Sequence, residues 1–193
     1  MSIVKKAADL VYTFRFLKLL VTKFENTEAF RMGIIDAEGK KLKSYLTPEE
    51  KNVYTPFIRL VFNIKKLMAK VPGGSSTLAS FAAALYLIKE QYGVSENKIE
   101  EGLRSVGLDP TDFLSEGSKW FILEDGRLSP GEYKVRNDKV LNKTMDEMVK
   151  AKDWVAVGES AYPVGNIFGL NIYEATHKKT NQKVYITVEE LLA

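Results

Sequence analysis

Between Val4 and Phe24 the apolar residues Ala7, Leu10, Val11, Phe14, Leu17 and Val21 recur at helical spacing, with Lys5, Lys6, Arg15, Lys18 and Lys23 largely on other faces. The pattern predicts an amphipathic helix whose apolar stripe, Phe14 included, faces a core, with Arg15 and Lys18 toward solvent. Next, "TEAFRMGIIDAEGKKLKS" alternates poorly. Phe30 to Ile35 followed by "DAEGK" reads as a short hairpin or ordered loop, with Gly39 supplying the positive φ of the turn. Thr47, Pro48, Glu49 and Glu50 spell a helix start: a hydroxyl cap, a proline in the first turn, and carboxylates set against the helix dipole. Pro56 interrupts, Thr55 offers a new cap, and Phe57, Leu60, Val61, Ile64, Leu67 and Met68 mark a buried face running up to a glycine pair. Leu78 to Ile88 is apolar nearly all round, which predicts a helix at the centre of a bundle. A further helix spans about Ser95 to Val106, with Ser95 as its cap and Gly107 at its end.

Beyond Pro110 the period changes. Trp120 to Leu123, Glu132 to Val135, Trp154 to Val157, Leu170 to Thr176 and Lys183 to Thr187 are short and rich in β-branched or aromatic residues, with Gly, Pro, Asn and Asp between them. "YEATHKKTNQKVYIT" reads as a hairpin in which Tyr173 and Ala175 answer Val184 and Ile186 across "KKTNQ". The fold class expected is α+β, a helical amino-terminal bundle (residues 1–110) followed by a small antiparallel, barrel-like β part (residues 111–193). The boundary falls near residues 107–118. No repeat, low-complexity tract or coiled-coil heptad emerges.

Composition supports a packed fold. Apolar residues make up 45% of 193, with 10 Phe, 9 Tyr and 2 Trp. Cysteine is absent, which removes disulfides, thiolate metal sites and a cysteine nucleophile, and fits a reducing cytoplasm. Arg15 and Lys18 break the first apolar run well short of a membrane span, so no membrane association is expected. Net charge is +3 but unevenly laid out: residues 1–74 carry 14 basic against 7 acidic side chains, and residues 75–193 carry 14 against 18. A basic amino-terminal half suits nucleic acid or another polyanion, or is simply a solvated face.

Candidate chemistry is sparse. In "KVPGGSSTLASF" Ser75 stands where a nucleotide-binding P-loop needs lysine, and the third glycine of a dinucleotide fingerprint is missing. The stretch reads as a hinge between helices. Its free amides at Gly73, Gly74 and Ser75 could still hold one phosphate of a nucleic acid. Arg15, Lys18, Arg59, Lys65, Lys66 and Lys70 are the candidate phosphate contacts. The aromatic–basic mixture "YTFRFLK" could also stack bases, though Phe14 belongs to the apolar stripe. His177, the one histidine, reads as an exposed turn residue. The acid pairs Asp36 and Glu38, Glu124 and Asp125, and Asp146 and Glu147 lack calcium-loop spacing and read as turn residues. No catalytic residue, metal site or cofactor is expected.

"FRFLKLLVT" (Phe14 to Thr22), "TEAFRMGIID" (Thr27 to Asp36), "RLVFNIKKL" (Arg59 to Leu67), "KVPGG" (Lys70 to Gly74) and "THKKTNQKVYIT" (Thr176 to Thr187) together resemble small proteins of large tailed bacteriophages, marine myoviruses especially. The resemblance implies a setting: synthesis in a host bacterial cytoplasm, packaging in the virion, and other phage proteins or further copies as partners. The resulting expectation is a non-enzymatic protein of virion structure or assembly. The alternative is a nucleic-acid-binding accessory factor of phage DNA metabolism. A third reading, an inhibitor of a host enzyme, carries no sequence signature.

Overall fold

A computed structural model describes residues 3–70, 75–110, 121–140 and 148–192. The helices come first: α1 (Ile3–Val21), α2 (Glu28–Arg31), α3 (Pro48–Val53), α4 (Pro56–Lys70), α5 (Ser75–Tyr92) and α6 (Glu96–Ser105). Their starts follow local chemistry. Thr47 accepts from Glu50 N at 3.2 Å while Glu50 accepts from Thr47 N at 2.9 Å, a reciprocal cap for α3. Ser95 accepts from Lys98 N to open α6, and Thr55 accepts from Ile58 N to open α4.

The strands follow: β1 (Gly131–Val135), β2 (Lys139–Val140), β3 (Met148–Val149), β4 (Trp154–Val157), β5 (Gly165–Ile167), β6 (Leu170–His177), β7 (Gln182–Ile186) and β8 (Leu191–Leu192). All pairings are antiparallel, in a curled six-stranded sheet of order β5-β6-β4-β1-β8, with β7 also on β6, and a separate β2–β3 pair. The mixed α+β class is as the sequence predicted. The β6–β7 hairpin carries the register Tyr173↔Ile186 and Ala175↔Val184. The expected strand at Trp120–Leu123 is corrected: Trp120 lies outside the described residues, and Ile122 makes one isolated bridge to Leu128. Much of the anticipated domain boundary also lies outside them.

α5 is the axis. Leu78, Ala79 and all of Phe81 to Ile88 are buried, and the helix packs on α4 and α6 and on β2, β5 and β6. One apolar core therefore joins Leu60, Ile64, Phe81 and Leu85 to Ile167, Leu170 and Ile172 of the sheet. A second core, built on Val135, Val155, Tyr173, Val184 and Ile186, fills the curl of the sheet. Linking the β2–β3 pair to the chain's end, Lys139 Nζ lies 3.0 and 2.9 Å from the two carboxylate oxygens of Glu190, both side chains being fully buried.

α1 is turned the other way from the expected stripe. Phe16 and Leu20 are buried, and Leu10, Val11, Phe14 and Val21 are exposed, Phe14 by 67%. The reason lies in the partner helix. A Cβ at Gly102 of α6 would stand 2.9 Å from Leu20 Cδ1 and 3.2 Å from Phe16 Cε1, so α6 is bare where those side chains seat. Two apolar stripes run along α1; α6 takes Phe16 and Leu20, together with Leu17 at the edge of the expected stripe, whose Cδ2 would stand 3.1 Å from that Cβ.

A candidate anion-binding groove

Local turns build the walls. Asp36 Oδ1 accepts from Glu38 N and Lys40 N at 3.0 and 2.8 Å, Ile35 bridges Lys41, and Gly39 sits at φ +81°. A side chain at Gly39 would also collide with the Phe24 ring, at 2.6 Å. This tight turn points Lys40 and Lys41 at one side of α4. Further along, Lys43 Nζ donates to Glu50 Oε1 and, at 3.0 Å, to Met32 O. The Lys43 bond and the Thr47 amide hold the Glu50 carboxyl below its usual range. That clasp fixes the loop on which Tyr45 stands 92% exposed.

The opposite wall is one face of α4, where Arg59, Asn63, Lys66 and Ala69 follow at helical spacing. Three neighbouring cavities share lining residues along it. The central one, about 770 Å³, is bounded by Phe24, Glu38, Lys40, Lys41, Tyr54, Lys66 and, from the far half of the chain, Lys150. At one end it shares Lys41 and Tyr54 with a cavity of about 420 Å³ that adds Tyr45, Lys51 and Arg59. At the other it shares Phe24 and Ala37 with one of about 360 Å³ that adds Lys23, Glu25 and Lys65. Eight basic side chains and two acidic ones line the whole. Such a surplus between protein walls concentrates positive potential.

Not all eight are equally available. Lys65 Nζ donates to Thr22 O and stands 4.4 Å above the Phe24 ring, and burial pulls its pKa down to about 8. Lys150 Nζ is 3.7 Å from Asp138 Oδ2 and remains mostly exposed. Arg59 stacks over Tyr54 at 5.9 Å.

Of the residues singled out from sequence, Arg59, Lys65 and Lys66 enter this groove. Arg15 and Lys18 do not; with Arg31, Asn26 and Thr27 they border a separate hollow of about 270 Å³ beside α2. Gly73 and Gly74 lie outside the described residues, as do the side chains of Lys70 and Ser75; Ser75 opens α5. Lys23, Lys40, Lys41, Lys51, Lys150 and Tyr45 were missed as groove residues. "GKK" behind a tight turn was the available signal for Lys40 and Lys41, and nothing local ties Lys150 to them.

His177 is corrected outright. It is 2% exposed, with Nδ1 2.8 Å from Thr180 Oγ1 and Nε2 3.1 Å from Asp153 Oδ2. Sequestered beneath the β6–β7 turn, the ring cannot meet a substrate; it ties that turn to the start of β4. Asp36 serves its turn, as above. Asp125 accepts from Arg127 N at 3.1 Å and Arg127 Nε at 2.6 Å, and these bonds hold its pKa low. Asp146 and Glu147 lie outside the described residues. Among the described residues no three acids or histidines gather as a metal site, and no helix is long and apolar enough to cross a membrane. No family model, curated protein or solved structure matches the chain.

Proposed function

We propose that the groove holds a single strand of nucleic acid and that the protein acts as a non-enzymatic accessory factor of nucleic-acid metabolism, in the phage setting that its sequence resembles. The observation that carries this reading is the crowding of cations: three neighbouring cavities that share lining residues, with eight cations to two acids and the exposed Tyr45 ring at one end. Lysines at spaced positions suit phosphates, and rings such as the exposed Tyr45 suit bases, a combination that favours single strands over duplex.

The test is a titration of a fluorescent oligonucleotide by anisotropy at several salt concentrations. If about five cations each meet a phosphate, log K falls with log salt at a slope near −3.5 for a single strand, so affinity drops about a hundredfold from about 50 to 200 mM. Lys41→Glu together with Lys66→Glu, in the middle of the groove, removes about 1.4 from that slope. Absence of binding at low salt, or an unchanged slope in the double variant, overturns the reading. A role in virion structure or assembly rests on a different observation, the outward apolar face of α1.

A further inference from the structure

The exposed stripe of α1 has the spacing of a helix-pairing seam. Ile3, Ala7, Leu10, Phe14, Leu17 and Val21 follow one another at intervals of 4, 3, 4, 3 and 4 residues, and Val4 and Val11 border the line seven apart. All are exposed except Leu17, which is half-buried and packs on the helical core. The run covers under three heptads, too short to stand out along the chain. Contiguous apolar surface of this kind marks an interaction site. Its opposite face, through Phe16 and Leu20, is seated in the helical core, so the stripe is presented on a rigid body.

The charges around the stripe decide what covers it. Lys6 and Lys18 occupy flanking positions and Arg15 lies beside them, all exposed. The one acid of α1, Asp9, is aimed elsewhere: its Oδ1 lies 2.3 Å from the place of a Cβ on Gly93, at the turn between α5 and α6. A second copy of this helix brings no acid to pair with Lys6 or Lys18 at the flanks. A lipid surface would meet the same basic-edged apolar face but would not need its 4-3 register, which suits a second helix. We infer that α1 is a docking helix for an acidic amphipathic helix of another protein, one that brings its own apolar seam flanked by Glu or Asp. This goes beyond the groove, which only Val21 of the stripe reaches.

The experiment uses the whole protein and, as probes, two synthetic helices of about three heptads, leucine at the core positions and either glutamate or lysine at the flanks. The glutamate helix binds and the lysine helix does not. Leu10→Glu with Phe14→Glu lowers binding at least about tenfold while the melting temperature and oligonucleotide affinity stay near the parent's, which separates this proposal from the groove. Lys6→Glu with Lys18→Glu reverses the preference toward the lysine helix. Equal binding of both probes, or no loss in the Leu10/Phe14 variant, overturns the proposal. So does a stable dimer in sedimentation equilibrium that the same variant dissolves, which would assign the face to a second copy. Flotation with phosphatidylserine vesicles that the same variant abolishes would assign it to a membrane surface.

Discussion

Lys139→Met isolates the strongest buried electrostatic contact described. Lys139 reaches both oxygens of Glu190 at 3.0 and 2.9 Å, and Glu190 also accepts from Thr187 N at 2.7 Å. Burial pulls the Lys139 ammonium down and pushes the Glu190 carboxyl up, each effect opposed by the partner's charge. Removing the cation leaves a fully buried carboxylate with Thr187 as its remaining donor, and breaking such a pair costs about 3–5 kcal/mol. For a chain of this size that is a fall in melting temperature of roughly 6–20 °C. Lys139→Met with Glu190→Leu should recover most of it, because a well-packed apolar replacement of a buried pair is close to neutral. The double-mutant cycle by urea unfolding therefore gives a coupling of about 3 kcal/mol or more. The sign with pH is also fixed. In Lys139→Met the folded pKa of Glu190 stands above its unfolded value of about 4.3, so the deficit is full at neutral pH. It shrinks as pH falls through the raised folded value. A loss under about 1 kcal/mol, or a deficit constant from about pH 8 to 5, refutes the reasoning.

Two further outcomes are expected. Phe16→Ala should destabilise by about 3–5 kcal/mol and Phe14→Ala by less than about 0.5, since the first ring is wholly buried and the second is exposed; equal losses in thermal unfolding would show that α1 is seated on its other face. Lys65, with a pKa near 8, loses its charge in the groove as pH rises past that value, so oligonucleotide affinity should fall about two- to threefold from about pH 7 to 9, and Lys65→Gln should flatten that dependence. A parent profile that is already flat would mean that Lys65 takes no part in binding.

What the sequence makes legible is what neighbours along the chain decide. Thr47 and Ser95 announce their helices because a cap is a bond to a residue three places on. α5 announces its central place because every face is apolar, and the β6–β7 hairpin its register because the short turn and the period of two leave one choice. The orientation of α1 is illegible for the opposite reason: two stripes qualify, and a glycine more than 80 residues later chooses between them. The same holds for His177, whose carboxylate partner is 24 residues away, and for Lys139, whose partner is 51 away. Three of the eight groove cations, Arg59, Lys65 and Lys66, are legible in the sequence as candidate contacts. The groove itself is not, because it exists only once the 36–46 loop folds back on α4 and the β2–β3 pair brings up Lys150.

The surplus of positive charge in the first 74 residues thus resolves into two separate surfaces, with different neighbours and different consequences. Along α4 the cations gather about a hollow with the exposed Tyr45 ring at one end, which suits a flexible polyanion whose phosphates repeat at short intervals. Around α1 the cations frame a continuous apolar line, where desolvation of the seam supplies affinity and the charges select the partner. Lys23 and Val21, at the open end of the groove where α1 stops, belong to both neighbourhoods. An acidic helix on α1 would therefore lower the positive potential at that end of the groove. The two ligands should then oppose one another most strongly at low salt, and progressively less as added salt shortens the Debye length.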